Sequence, residues 1–226
     1  MRMAGLLAVA ILAAGCAQST DGQPESASPQ AARPTGTTST AAPPSSARPT
    51  PAPGEGATIE QVIAFVEAGA PADATGFHVA FRDGVTTRLG EDTAFTAPSG
   101  VPSGTTQCMT TTEGLTCLLE LSAPPPPPPG AEGVWKAGWV TFPGAELRVG
   151  ASRGDPGPFA AGSGPQLPAG QTLSIGDTRC RSDAAGLFCV DYAHRSAVRI
   201  SADGVLPFGC LQPVAPPDGV GAAFRC

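Results

Sequence analysis

The chain divides into three stretches by the pattern of its apolar and polar positions. Residues 3–14 form a short apolar run behind a single basic residue, Arg2. Residues 17–57 contain no Leu, Ile, Val, Met, Phe, Trp or Tyr. From residue 58 onward, apolar side chains recur first with a helical period and then with the alternating period of strands. The pattern therefore predicts a leader, a disordered tether and a folded domain over residues 58–226.

The folded domain is predicted to open with one short helix and to continue in strands. Thr58 and Gln61 fit a capping box, and the apolar positions that follow Thr58 have helical spacing: Ile59, Val62, Ile63 and Val66. After residue 69 the period changes to two, with apolar residues at Phe77, Val79 and Phe81. Residues 83–84, Asp-Gly, then predict a hairpin turn. We expect an all-β domain with one helix, built as a sandwich or a partly open barrel.

Four landmarks recur in the same order and predict an internal two-fold repeat. Each copy contains a Val-x-Phe triplet, an Arg-x-Gly triplet, a Phe-x-x-x-Ser-Gly run and a pair of cysteines separated by eight residues. The copies cover about residues 77–121 and 134–192. Between the two cysteines of each pair lies a turn sequence that ends in Gly, so both pairs are predicted to be disulfides across hairpins.

Six cysteines of the domain form an even set, which in an exported chain indicates a disulfide framework. They are Cys108, Cys117, Cys180, Cys189, Cys210 and Cys226. Six cysteines allow 15 pairings, and proximity along the chain favours pairing each with its neighbour. A loop of about ten residues contributes roughly 2.5–3 kcal/mol in the chain-entropy account. Neither histidine lies beside a cysteine pair, so we expect no metal site and no cofactor.

The N-terminal apolar run has the features of an export signal. It follows a basic residue, it is too short to span a bilayer as a mature helix, and it ends in small residues before Cys16. Residues 12–16 resemble the bacterial lipobox, although Ala13 stands where that motif prefers Leu. The resemblance implies a signal peptide over residues 1–15 and a lipidated Cys16, carrying diacylglycerol and palmitate, on the extracytoplasmic face of the cell membrane.

Residues 16–57 are predicted to form a disordered tether. Pro, Ser, Thr, Ala and Gly dominate this stretch, which cannot bury enough apolar surface to offset the entropy lost on ordering. Depending on its stiffness, the tether spans on the order of 35–100 Å. It would hold the domain away from the membrane.

Several segments resemble the mycobacterial LppI-type lipoproteins. These segments are residues 70–78, 154–159, 179–189, 192–194 and 208–210. The layout is also similar, with a signal, a lipidated cysteine, a Pro-rich tether and a domain that carries cysteines. The resemblance implies an actinobacterial envelope location and carries over no catalytic residue.

The charge balance argues against nucleic acid as a partner. The net charge is -6, from 13 Lys+Arg against 19 Asp+Glu, and no basic cluster is present. Lys136 is the only lysine. We expect the membrane, through the lipid anchor, and an envelope polysaccharide or protein as partners.

Few residues suggest catalysis. Asp191, His194 and Ser196 are close in sequence, but no Gly-x-Ser-x-Gly elbow surrounds Ser196, so these residues are interpreted as turn residues. His78 is interpreted as a rim residue of its strand. We therefore expect no catalytic residues and a binding or scaffolding role. The alternatives are an envelope hydrolase using Asp191 and His194, and a carrier of a small apolar or lipidic ligand.

Trp135 and Trp139 are the candidate binding residues. In a regular strand they lie on one face, where two indoles can stack on sugar rings. The alternative, which we favour, is that they fill the core. Residues 124–129 are six consecutive prolines, interpreted as a spacer between the repeat copies, with a docking peptide as the alternative.

Overall fold

A computed structural model of the chain describes residues 50–226. About 47% of the structure is strand and about 10% is helix, which confirms the mostly β fold class. The predicted signal peptide, Cys16 and the tether as far as residue 49 lie outside the described residues. No helix within residues 50–226 is long and apolar enough to cross a membrane.

The described elements are one α-helix, two short 3-10 helices and fifteen strands. The α-helix α1 spans Ile59–Glu67, and the 3-10 helices span Ala74–Phe77 and Gly157–Ala161. The strands are β1 (Ala70–Pro71), β2 (Val79–Arg82), β3 (Val85–Arg88), β4 (Ala94–Pro98), β5 (Thr105–Thr111), β6 (Gly114–Leu118), β7 (Val134–Phe142), β8 (Glu146–Arg153), β9 (Gln171–Ile175), β10 (Thr178–Asp183), β11 (Gly186–Asp191), β12 (Ser196–Ser201), β13 (Gly204–Gly209), β14 (Gln212–Val214) and β15 (Val220–Arg225).

Two large open sheets pack as a sandwich. One has six strands in the order β1-β9-β10-β11-β12-β13, and the other has seven in the order β14-β15-β8-β7-β6-β5-β4. Alternate residues of both sheets meet in a single core, including Phe95 and Phe142 from the seven-stranded sheet and Leu187 and Ile200 from the six-stranded sheet. Because strand side chains alternate between faces, each sheet also presents an outer face, part of which is covered by another element.

Helix α1 covers the outer face of the six-stranded sheet. The predicted capping box is confirmed, because the Gln61 N–H donates to Thr58 Oγ1 at 3.3 Å and the Thr58 N–H donates to Gln61 Oε1 at 2.8 Å. The apolar side of α1 packs against Phe188 and Val190 of β11. All six residues of β11 are buried because its inner face meets the core and its outer face meets the helix.

The hairpin of β2 and β3 forms the cover on the opposite side of the sandwich. Its predicted Asp-Gly turn is confirmed, with positive φ values at Asp83 (51°) and Gly84 (78°). The side chain that faces the seven-stranded sheet is Ala80, whereas Phe81 is 47% exposed. This differs from the alternation predicted at Phe77, Val79 and Phe81. The reason is that Phe81 exchanges two backbone hydrogen bonds with Ser163, which orients β2 with its small residue inward.

The three predicted disulfides are confirmed, and each joins neighbouring cysteines. Cys108 pairs directly opposite Cys117 across β5 and β6, and Cys180 pairs opposite Cys189 across β10 and β11. All four of these cysteines are fully buried in the shared core. The third disulfide, between Cys210 and Cys226, lies at the surface and connects the chain after β13 to the chain after β15, so it links the two sheets.

The repeat is visible in the structure with boundaries that differ from the predicted ones. Each large sheet contains a five-strand meander, β4–β8 in one and β9–β13 in the other, with its disulfide between the second and third strands. The cysteine landmarks therefore occupy equivalent positions. The Phe-x-x-x-Ser-Gly landmark does not, because it covers strand β4 in one copy and the 3-10 helix Gly157–Ala161 in the other. The order of landmarks along the sequence does not show which strands pair. Strand pairing is what defines the repeat in this structure.

The last residues of the predicted tether belong to the folded part of the chain. Ala52 and Ala57 pack against the cluster that α1 forms with the six-stranded sheet. The Ala57 N–H also donates to the Gly54 carbonyl at 3.2 Å. Pro51 and Pro53 lose little backbone entropy on ordering, which favours a fixed position for this short stretch.

Candidate functional site

A cleft of about 1010 Å³ opens at the side of the seven-stranded sheet, and we call it the Trp135 cleft. Three segments that are distant in sequence form its walls. They are residues 99–105 between β4 and β5, residues 118–121 at the end of β6, and residues 135–138 at the start of β7. Pro124, the first residue of the proline run, also lines it.

A β-bulge in β7 creates one wall of the cleft. The pairing register between β7 and β8 shifts between Lys136 and Val140. Within this interval, Gly138 lies so close to β6 that an added Cβ would stand 1.9 Å from the Leu119 carbonyl oxygen. The Leu119 N–H donates to the Gly138 carbonyl at 3.2 Å. Trp135 and Lys136 stay paired with Ser152 and Ala151 of β8, whereas the pairing of β7 with β6 ends at Trp139. Residues 135–137 therefore line the cleft at the end of β6.

Trp135 is a half-buried aromatic residue held in one position. Its indole N–H donates to the Pro125 carbonyl at 3.0 Å. The far edge of the ring lies over two glycines, Gly150 and Gly221, where an added Cβ would come within 2.6 and 3.1 Å of Trp135 Cη2. Larger residues at these glycines would displace the ring. Trp135 therefore lines the cleft in an orientation that is set before any ligand binds.

Trp139 does not share this site. It is only 4% exposed and packs edge-to-face on Phe159 with the ring centroids 5.3 Å apart. The Arg153 guanidinium also lies 4.5 Å from the centre of its ring. The favoured core interpretation therefore applies to Trp139, while Trp135 lines the cleft. The register shift between the two residues interrupts the alternation on which the shared-face prediction depends.

The remaining lining of the cleft mixes polar and apolar residues, and its charges balance. The apolar residues are Val101, Pro102, Leu118, Leu119, Leu121, Pro124 and Ala137. Lys136 supplies one cation and Glu120 one anion. Hydroxyl groups come from Thr96, Ser99, Ser103 and Thr105. The Gln107 amide nitrogen donates to the Gly162 carbonyl at 2.7 Å, which fixes the amide at the edge of the cleft. This set of donors and acceptors is suited to a ligand rich in hydroxyl groups. No sequence pattern marks Glu120 or Gln107 as lining residues. The signal for this cleft in the sequence is Gly138, because a glycine inside a strand is typical of a bulge.

The residues considered for hydrolysis form a structural turn. Asp191, 5% exposed, accepts hydrogen bonds from the His194 backbone N–H at 2.9 Å and contacts His194 Nδ1 at 2.8 Å. Ser196 is fully buried, and its hydroxyl donates to the Gly144 carbonyl at 2.6 Å. The serine is therefore engaged away from the histidine, and the arrangement lacks the hydrogen bond between nucleophile and base that a serine hydrolase requires.

His78 likewise has a local structural contact. Its Nδ1 lies 2.9 Å from the Asp92 carbonyl oxygen. Within residues 50–226, no group of three or more His, Cys, Asp or Glu side chains is arranged to hold a metal ion.

No family model matches the chain, and comparisons with curated proteins and with solved structures found no match.

Proposed function

We propose that this chain is a lipid-anchored, extracytoplasmic protein that binds an envelope saccharide in the Trp135 cleft. The observation that carries this proposal is the fixed indole of Trp135 beside a lining that mixes apolar residues with hydroxyl groups, one cation and one anion. The leader, Cys16 and the tether support the membrane location, and the resemblance to LppI-type lipoproteins supports the same setting.

The chemistry of the cleft favours a sugar over other ligands. A sugar ring offers an apolar C–H face, which can pack on an indole, and a rim of hydroxyl groups, which can bond to Ser, Thr, carboxylate and amide groups. Because Lys136 and Glu120 balance each other, the cleft does not select strongly for a charged ligand. A volume of about 1010 Å³ is at the upper end of the range for small-ligand sites, so it leaves room for more than one ring.

The two alternatives fit these observations less well. A lipid carrier needs an apolar cavity, whereas the space between the sheets is filled by packed side chains such as Phe95, Leu147 and Leu187. A hydrolase that uses Asp191 and His194 needs a nucleophile, and Ser196 is engaged elsewhere. Saccharide binding therefore accounts for the cleft with fewer additional requirements than a lipid carrier or a hydrolase would need.

The test is a binding screen with the full mature chain, disulfides intact. The probes are arabinose-, galactose-, mannose- and glucose-based oligosaccharides. Their binding is measured by tryptophan fluorescence and by calorimetry. We expect at least one series to bind, and Trp135→Ala to weaken that binding about tenfold or more, equivalent to about 1.4 kcal/mol. Circular dichroism would establish that the variant remains folded.

Phe81→Ala is the matched control because it removes an exposed aromatic ring at a different surface, on the outer hairpin. It should leave saccharide binding unchanged. Failure of every oligosaccharide to bind, or equal binding by wild type and a folded Trp135→Ala variant, would contradict the proposal.

A further inference from the structure

The six prolines of residues 124–129, which we call the proline ridge, form a polyproline II helix on the surface. Each proline fixes its own φ near about −65° and restricts the residue before it to extended conformations. Such a helix has three residues per turn. Pro125 and Pro128, which are three residues apart, are half-buried, whereas the other four prolines are exposed. The ridge therefore rests on the domain along one of its three faces and presents the other two to solvent.

The domain holds the ridge in place at both ends and at its inner face. Just before the ridge, the Ser122 N–H donates to the Ala202 carbonyl at 2.7 Å. Just after it, the Ala131 N–H donates to the Pro128 carbonyl at 3.2 Å. At the inner face, Trp135 donates its indole N–H to the Pro125 carbonyl. A partner would therefore meet a ligand whose conformational entropy is already lost.

A role as a spacer does not by itself explain why the exposed positions of the ridge are also proline. Contact with the domain uses the inner positions, Pro125 and Pro128. The solvent-facing positions form two Pro-x-x-Pro pairs, Pro124 with Pro127 and Pro126 with Pro129, one on each exposed face. Pro-x-x-Pro segments in this conformation are the ligands of protein grooves lined by aromatic side chains.

We propose that the proline ridge is a docking site for a protein domain with an aromatic groove that reads polyproline II. Within this chain an aromatic residue already contacts the ridge, because the Trp135 indole N–H donates to the Pro125 carbonyl. Exposed Glu132 follows the ridge in sequence, whereas Glu120 before it is balanced by Lys136. The complementary groove therefore has a basic residue at the rim that meets Glu132. This inference does not depend on saccharide binding.

The experiment titrates the full mature chain into fluorescently labelled WW, SH3 and EVH1 domains, the three domain classes that read this conformation. We expect saturable binding by at least one domain. The double variant Pro126→Ala with Pro127→Ala alters both exposed faces. It should weaken this binding at least tenfold. Increasing salt should also weaken it, because Glu132 contributes.

Pro216→Ala is the matched control, since Pro216 is an exposed proline outside the ridge. It should bind as wild type does, and the double variant should retain saccharide binding in the Trp135 cleft, which separates this inference from the proposed function. The inference is overturned if none of the three domains binds wild type, if the double variant binds equally well, or if Pro216→Ala causes the same loss.

Discussion

Glu146 joins two strands of the seven-stranded sheet through its carboxylate. Arg148 donates to it twice, from Nε to Oε1 and from Nη2 to Oε2, both at 3.0 Å. Arg225 of β15 donates to Oε1 at 3.3 Å. The side chain of Glu146 is only 15% exposed. Hydrogen bonds from Arg148, followed by its charge and then by the contacts of Arg225, hold the pKa of Glu146 below its ordinary value of 4.5.

Glu146→Gln should therefore destabilise the protein at neutral pH but not in acid. Because the pKa of Glu146 is lower in the folded than in the unfolded state, its stabilisation is fully present above pH 4.5 and disappears as pH falls through the folded-state pKa. We expect the variant to lose about 1 kcal/mol of unfolding free energy at pH 7. Urea unfolding from pH 7 to pH 3 measures the difference, and a difference that stays constant with pH would contradict this account.

At the scale of elements, the bulge in β7 determines whether the Trp135 cleft exists. β7 pairs with β8 on both sides of the shift between Lys136 and Val140, but its pairing with β6 ends at Trp139, and residues 135–137 beyond that point line the cleft. The close approach of Gly138 to Leu119 allows this shift, because no side chain fits between the two backbones.

Gly138→Ala should damage the bulge and the cleft together. The added Cβ would overlap the Leu119 carbonyl oxygen, which is backbone and cannot move aside as a flexible side chain can. We expect a loss of about 2–3 kcal/mol in unfolding free energy and a loss of saccharide binding. Gly154→Ala is the control, since nothing lies within 4 Å of its added Cβ, and it should behave as wild type. Equal stability of the two variants would contradict the conclusion that the close approach of Gly138 to Leu119 excludes a side chain.

At the scale of the whole molecule, the three disulfides differ in their access to solvent. Cys108, Cys117, Cys180 and Cys189 are fully buried between the sheets. Cys226 is exposed and Cys210 is half-buried. A thiolate must reach a sulfur atom before it can exchange with a disulfide, so the fold protects the two core disulfides and not the terminal one.

Mild reduction of the native protein should therefore open only the Cys210–Cys226 disulfide. Alkylation followed by peptide mass mapping should find label on Cys210 and Cys226 before unfolding, and on the other four cysteines only in urea. A variant with Cys210→Ser and Cys226→Ser serves as the control and should take up no label under native conditions. Label on Cys108 or Cys180 in the native state would mean that the sandwich opens far more readily than its packing indicates.

Much of the fold was predictable because its signals are local. The capping box joins residues three apart, the Asp-Gly turn lies within two residues, and each core disulfide closes a hairpin with a sequence separation of 9. In each case the interacting groups are close along the chain, so their chemistry and spacing are sufficient. The orientation of Phe81 was not predictable, because its backbone pairs with Ser163, which lies far along the chain.

The sequence alone determined one short capped helix, a mostly β domain and disulfides between neighbouring cysteines. Only the tertiary structure decided that Trp135 lines a cleft while Trp139 enters the core, that Ser196 bonds away from His194, and that the proline ridge rests on one face. The physical reason is the range of the interactions. Caps, turns and short disulfide loops involve nearby residues, whereas the cleft requires three distant segments and a bulge whose position depends on how the strands pack.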